Sequence, residues 1–556
     1  MQQGKRRYRR AGSARLRPMP EPDAIAGALS ALLPPDRIAF SPGERARRAR
    51  TTSPHGTTPA GVVWPVSTEE VSAVVAACGG AGVPVYPVSR GKNWGYGDAC
   101  APVDGCVLMD LSRMDAIESI DAELGYAVIQ PGVSQGQLAA AAAERAPGYW
   151  IDCTGAGPEA SLVGNVMDRG FGHTPYADHL ATSSIMEAVL ADGKILRPGF
   201  HRYPGAKAAP VYPYGVGPYI DGLLTQSNLA IATKVCVWLC PKPEAFRFFY
   251  IKVEDESRLE ALIDALRPLR LQGILNSAVH VGNILRVVSG QRTYPRDLAG
   301  GKRPLDAAAL ERLRAETGLG AWSCSGSLTG TRAQVRAGAQ ALRRAVQGIG
   351  RVIVLSDAQI ALADAITERA ARFGLLRGLR KTIQDLTPHI DLLRGTPTYH
   401  PLRGALWGLD TDDDTPRDPV EAGAGLLWLS PVLPLRGADA RAVERIAAPL
   451  LAQHGFDFLA TFTLLNARSM VGIINIAFDT ADTEAAARAG ACYHELMRAL
   501  IGAGYPPYRV SIEGMPLLRE PGTEYDAFLG RIKAAVDPCG IIAPGRYIAP
   551  QSGDAG

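Results

Sequence analysis

The sequence predicts an α+β protein made of more than one folding unit. At 556 residues the chain is longer than one core organises, and roughly two to four units are expected. From about residue 60, short β-branched runs alternate with alanine-rich helical stretches. Near residue 244 the texture changes: Pro241 and Pro243 interrupt the chain, and longer amphipathic helices such as ESRLEALIDALRPLR then alternate with strands such as FRFFYIKV.

The elements follow in order. GVVWPV, STEEVSAVVAACGGAG and VPVYPVS read as strand, helix and strand. Ser67 and Glu70 have capping-box spacing at the helix start, and Gly79-Gly80 supplies its stop. The second strand runs into the loop Ser89–Gly97, SRGKNWGYG. CVLMDLSRM, GYAVIQPGV and a helix around Gly136–Arg145 lead to a second glycine-rich block at 155–172. IMEAVLADGKILRPG reads as a hairpin turning at Asp192-Gly193. Residues 198–217 read as a loop, and the acidic stretch 409–419 as a surface loop of the second unit.

Composition excludes several classes. The net charge of +4 comes from Lys5, Arg6, Arg7, Arg9, Arg10, Arg15 and Arg17; without these seven the chain carries −3, so a nucleic-acid-binding body is not expected. No apolar run follows the arginines to make an export signal, and the start reads as a solvated, flexible segment. Nine cysteines without a C-x-x-C pair argue against a disulfide framework or a zinc ribbon. The apolar stretch 229–240 contains Lys234 and falls short of the ~20 residues that span a bilayer. Cytoplasm is the default location. The histidines have no metal-ligand spacing, and no metal is expected.

Two blocks carry candidate chemistry. In SRGKNWGYG, three glycines after a strand let backbone N–H groups converge on an anion, with Arg90 and Lys92 adding positive charge. Such a loop suits a pyrophosphate, but it lacks the GKS or GKT of a P-loop, and a plain tight turn is the alternative. The second block opens GAGPEA, formally G-x-G-x-x-A, with Asp178 about 20 residues on, as in a dinucleotide fingerprint. Its flanks read poorly as the strand and helix such a fingerprint needs.

The runs YPVSRGKNWGYG, WIDCTGAGPEASLVGNVMDRGFGHTPYADH, YPYGVGPYIDGLLTQSNLAIATKVCVWLCP and DPCGIIAPGRY resemble the vanillyl-alcohol oxidase and 4-cresol dehydrogenase family. The resemblance implies an FAD domain of the p-cresol methylhydroxylase type made from residues 51–243 and completed by 500–556. A cap domain over 244–499 follows from it, after a basic region 1–50. It also implies cofactor contacts from Pro87, Ser89, Arg90, Gly91, Lys92, Asn93 and Gly95 of the first block and from Cys153, Ser161, Gly164, Asn165, Gly170, Gly172, Tyr176 and Asp178 of the second. Ile231 and Arg546 complete that set.

Tyr96, Tyr508 and Arg509 match the family residues that hold a substrate phenol as its anion, and His173 stands where a tyrosine is common, as a candidate base near neutral pH. The reaction implied is FAD-dependent removal of hydride from the benzylic carbon of a para-substituted phenol, such as a 4-hydroxybenzyl alcohol or 4-alkylphenol, to flavin N5 through a quinone methide. O2 or another electron acceptor would reoxidise the flavin, with an oxidase favoured, and family relatives form dimers. The alternatives are the same FAD fold with another substrate, a 2-hydroxy acid or biosynthetic intermediate, or a flavin-binding partner subunit without turnover.

Departures from the family pattern bear on the cofactor bond. Leu426 and Asn93 occupy the positions of the tyrosyl or histidyl attachment, so non-covalent FAD is expected, with a Cys153 thioether as the alternative. The second block also lacks the family's active-site aspartate. Asp152 matches an earlier acid, and Glu159 would replace the missing one only if an inserted residue re-aims it.

Overall fold

A strand–helix–strand run of β-branched residues calls for parallel pairing with the helix laid over one face. The computed structural model, which describes residues 22–300, 302–371, 376–413, 415, 417–518 and 523–549, has that arrangement. Gly61–Val63 and Val85–Val88 both pair in parallel with Val107–Asp110, which inserts between them. The crossover helix Thr68–Ala81 buries Val71, Val74, Val75 and Cys78. Ser67 caps it by accepting from the Glu70 N–H, but the Glu70 carboxylate turns to the Val66 N–H and Arg37, leaving the expected box half made. The expected stop at Gly79-Gly80 is also corrected. The helix continues to Ala81 and ends on Gly82 at φ +67°, while Gly79 lets Ile541 approach to where a Cβ would stand 3.2 Å away.

Five antiparallel strands form the next layer, in the order Ile117–Asp121, Tyr126–Ile129, Ala230–Trp238, Ser183–Leu190 and Ile195–Leu196. The hairpin turn at Asp192-Gly193 is present, with Gly193 at φ +80° and Leu190 N–H donating to the Lys194 carbonyl. The C-terminal segment returns to the first sheet. Val85 N–H donates to the Ile541 carbonyl at 2.7 Å and Ala543 N–H to the Val85 carbonyl at 2.8 Å. Lys533, buried, holds this return by donating to the carbonyls of Asn228 and Ile542 and to Asp537. One α+β body is thereby assembled from both ends of the chain.

Between those ends lies an eight-stranded antiparallel sheet. Its order is Arg351–Ser356, Ala245–Val253, Trp322–Gly330, Val279–Asn283, Leu459–Leu464, Ser469–Asp479 and Ala424–Leu429, with Val432–Pro434 also paired to Ser469–Asp479. Its strands alternate strictly. Val279, Val281, Trp322, Cys324, Phe462 and Leu464 point into a core shared with the helices Leu259–Leu271, Arg332–Ala345, Gly437–Gln453 and Thr483–Gly502. Full burial stabilises each large apolar side chain by roughly 1.5–3 kcal/mol, so this face fixes the register. The intervening residues His280, Ser323, Ser325, Thr461 and Thr463 face a cavity on the other side.

The seven basic residues of the first 20 lie outside the described residues. The acidic stretch 409–419 is more than a surface loop, because its Asp418 pairs with Lys92 at 2.6 Å and Pro419 lines the cavity. Among the described residues no helix is long and apolar enough to cross a membrane.

Candidate active site

The polar face of the large sheet and the loop Ser89–Gly97 enclose a cavity of about 530 Å³, within the roughly 300–1,000 Å³ typical of ligand sites. Gly91, Gly95 and Gly97 have φ of +65°, +72° and +111°, values an L side chain rarely adopts. At Gly95 a Cβ would also stand 2.2 Å from the Trp428 ring. The loop leaves donors unused: among the described residues the backbone N–H groups of Arg90, Gly91, Lys92 and Asn93 find no acceptor within the protein, and neither does the buried Nε of Arg90. Four backbone donors and a guanidinium on one concave wall suit the pyrophosphate of FAD.

Other expected contacts divide into two groups. Pro87, Ser89, Ser161, Gly164, Asn165, Ile231 and Arg546 line the cavity with the loop. Ser161 caps the short helix Leu162–Met167 by accepting from Gly164 N–H, and a Cβ on Gly164 would collide with Ser89 Oγ at 2.4 Å. Gly170, Gly172, Tyr176 and Asp178 stand behind this wall. Gly170 gives room to the Asn165 side chain and Gly172 to the Asp152 carboxylate, while Asp178 accepts from Ala181 N–H in a turn. Gly95 likewise acts through packing.

Cys153, expected as a cofactor contact, does not line the cavity. It is wholly buried in the core under the five-stranded sheet, its Sγ lies 3.6 Å from the Leu392 carbonyl, and burial raises the thiol well above its ordinary pKa. A protonated thiol away from the cavity wall offers no nucleophile there. Leu426, at 2% exposure, packs against Trp94, Leu402 and Ala405. Glu159 turns outward to Tyr399 and Lys92, more than half exposed, and brings no acid to the cavity.

Tyr96, Tyr508 and Arg509 come together on the cavity although more than 400 residues of sequence separate the first from the others. Tyr508 and Arg509 follow the isolated bridge Pro431–Pro507, and Tyr508 N–H donates to the Ser430 carbonyl. The Arg509 guanidinium lies 3.9 Å from the Tyr96 ring centroid, and the Tyr96 and Ser430 hydroxyls are 2.7 Å apart. Burial raises both phenols, Tyr96 well above 10, so each stays protonated and available as a donor. Arg509 is oriented by Asn93, which accepts from it, and by Asp168 at 3.4 Å, while its Nε is buried without an acceptor.

His173 belongs to a cluster. Its Nδ1 is 3.0 Å from His280 Nε2, His280 Nδ1 is 3.0 Å from Thr463 Oγ1, and His389 Nε2 is 3.0 Å from Ser325 Oγ. Burial lowers His173 to about 4 and His389 to about 3, and puts His280 well below its ordinary value. Burial thus weakens the basicity expected of His173 near neutral pH and leaves it a neutral, hydrogen-bonded imidazole.

Sequence reasoning missed Asp168, Arg286, Trp428 and the partners His280 and His389. Asp168 had a local signal, lying in the second glycine-rich block. It is buried between Arg509 and Arg546 and accepts from Asn93. Burial raises its carboxyl, but Arg546, Arg509 and the hydrogen bond from Asn93 outweigh it and leave the pKa below the ordinary value.

Comparison with known proteins bears on this site. A family model described as an FAD binding domain matches residues 59–199. The chain is 35% identical over 525 residues to the 1'-carboxy-chondrochloren decarboxylase of Chondromyces crocatus, covering 91% of this chain and 94% of that protein. It is 29% identical over 489 residues to the 4-cresol dehydrogenase [hydroxylating] flavoprotein subunit of Pseudomonas putida, covering 88% of this chain and 87% of that one. Among solved structures, 4-ethylphenol oxidase from Gulosibacter chungangensis, in complex with isoeugenol, superposes with a TM-score of 0.86 at 28% identity, over 95% of this chain and 97% of that one.

Proposed function

The chain belongs to the p-cresol methylhydroxylase-type family of FAD-linked oxidases, and from that premise we propose that it oxidises a para-substituted phenol at the benzylic carbon. The observation that carries this reading is the convergence of Tyr96, Tyr508 and Arg509 on one cavity, with the Arg509 Nε lacking an acceptor. A free phenol ionises near pH 10, so holding it as the anion at neutral pH takes about 4 kcal/mol of differential stabilisation. Two protonated tyrosine hydroxyls and a buried guanidinium are the donors that supply it.

The phenolate pushes electron density to its para carbon, which weakens the benzylic C–H bond toward loss of hydride and leaves a neutral quinone methide. Bound FAD supplies the two-electron acceptor for that hydride. The loop N–H groups of 90–93, Arg90 and the wall around Ser161 and Gly164 orient the cofactor, while Tyr96, Tyr508 and Arg509 orient the ring. The histidine cluster, neutral and hydrogen-bonded, presents donors and acceptors to the side chain without adding charge.

A second reading of the later steps is favoured by the relative that is a decarboxylase. Where the carbon next to the benzylic one carries a carboxylate, the quinone methide accepts the electron pair of the C–CO2 bond. Carbon dioxide leaves, the pair forms a vinyl double bond, and the ring regains its phenolate.

Anaerobic titration of the purified yellow holoenzyme with a 4-alkylphenol tests the reading. Loss of flavin absorbance with the para isomer, and none with the meta isomer, is expected. No bleaching and no charge-transfer band with any para-substituted phenol overturns it.

A further inference from the structure

Arg286 is the feature of the cavity that phenol oxidation leaves unused. It sits on the short helix Ile284–Ser289, directly after the strand Val279–Asn283 that carries His280. The other cations of the cavity have partners. Lys92 pairs with Asp418, Arg509 and Arg546 pair with Asp168, and Arg90 donates to the Gly132 carbonyl. Among the described residues Arg286 has no carboxylate within ion-pair distance. Its contacts are a 3.4 Å hydrogen bond to Ser289 Oγ and the Trp428 ring at 5.8 Å, and its buried Nε has no acceptor.

A guanidinium taken out of water without a counter-ion is costly, and among the described residues no carboxylate is ion-paired with it to offset that cost. The groups around it do not compensate. His280 and His389 are within electrostatic reach of Arg286 and are held neutral, burial being the largest cause. Ser323, Ser325 and Thr463 add hydroxyls to the same wall. The cofactor cradle lies on the glycine-rich loops of the N-terminal body, whereas Arg286 belongs to the large sheet and its connections, so the anion it awaits is carried by the substrate.

We propose that Arg286 is a specificity residue that binds a carboxylate on the para side chain of the substrate, making 4-hydroxyphenyl alkanoates, rather than neutral alkylphenols, the preferred substrate class. This rests on the phenol reading above for the other end of the molecule. A planar carboxylate accepts two parallel N–H bonds from a guanidinium, here the Nε and one Nη; its neighbours on this wall are neutral histidines and hydroxyls, and Asp385, which also lines the cavity, is paired with Lys381 at 2.8 Å.

The test uses the holoenzyme and three probes under anaerobic conditions: 3-(4-hydroxyphenyl)propanoate, 4-propylphenol, and 3-phenylpropanoate, which lacks the phenol. Binding is read from the perturbation of the flavin spectrum, and reduction from its bleaching. The acid is expected to bind at least tenfold more tightly than 4-propylphenol. In Arg286→Met that ratio falls by about 10- to 100-fold, as for a lost charge-assisted hydrogen bond in a buried site, and Arg286→Lys restores part of it. Flavin content of each variant verifies folding, and should Arg286→Met lose FAD, Arg286→Lys and the wild-type ratio alone decide. Equal affinity of wild type for acid and neutral phenol, or an unchanged ratio in the variants, overturns the proposal. If the phenol reading fails instead, no probe bleaches the flavin, yet 3-phenylpropanoate still binds in an Arg286-dependent way.

Discussion

Replacing Arg509 by Met examines the phenolate clamp at its strongest point. The side chain is buried, lies over Tyr96, and keeps its Nε unoccupied while Asn93 and Asp168 hold the other end. Of the ~4 kcal/mol needed to bring a phenol from pKa 10 to below 7, a charge-assisted hydrogen bond contributes roughly 1.5–3 kcal/mol. The two tyrosine hydroxyls supply the remainder. Arg509→Met is therefore expected to raise the pKa of a bound phenol by about 1–2 units and to slow reduction at pH 7 by about 10- to 100-fold. The assay is the near-ultraviolet titration of 4-hydroxybenzaldehyde bound to the holoenzyme, whose phenolate band is resolved from that of the phenol. Below the shifted pKa the ligand is neutral, so the variant should recover activity as the pH rises. A bound phenol that titrates at the same pH in variant and wild type would show that Arg509 does not hold the phenolate.

Two further predictions follow from neighbouring groups. Asp168→Asn leaves Arg509 and Arg546 buried without their shared carboxylate and is expected to cost about 3–5 kcal/mol, read by urea unfolding. Because the native carboxyl sits below its unfolded value of about 4, its contribution is full above that pH and is lost as the pH falls from there through the lower native pKa, and this acid dependence should shrink in the variant. With Leu426 packed in an apolar cluster and the Cys153 thiol buried and protonated, FAD is expected to stay in the supernatant after acid precipitation; a yellow pellet would contradict this.

The fold was largely legible because its local signals agree with its tertiary pairing. The crossover helix, the Asp192-Gly193 hairpin and the glycine-rich loop each use residues whose backbone preferences specify them. The helix end at Gly82 was misplaced because Gly79-Gly80 looks like a stop, whereas Gly79 is there for the approach of Ile541 from far along the chain. The clamp residues Tyr96, Tyr508 and Arg509 were reached through long motifs, not through spacing. Arg286 was missed because an arginine on a six-residue helix looks solvated; only the sheet that surrounds it removes its water. Alternation along VHVGN and WSCSGS carried part of that information, since its polar positions are those that face the cavity.

Hydride loss from the benzylic carbon is read straight from the isotope effect on flavin reduction. Anaerobic stopped-flow mixing of the holoenzyme with a 4-alkylphenol, protiated or dideuterated at the benzylic carbon, compares the two bleaching rates at saturating substrate. The deuterated phenol is expected to bleach the flavin several-fold more slowly. Equal rates, or bleaching by phenols that lack a benzylic hydrogen, would contradict it.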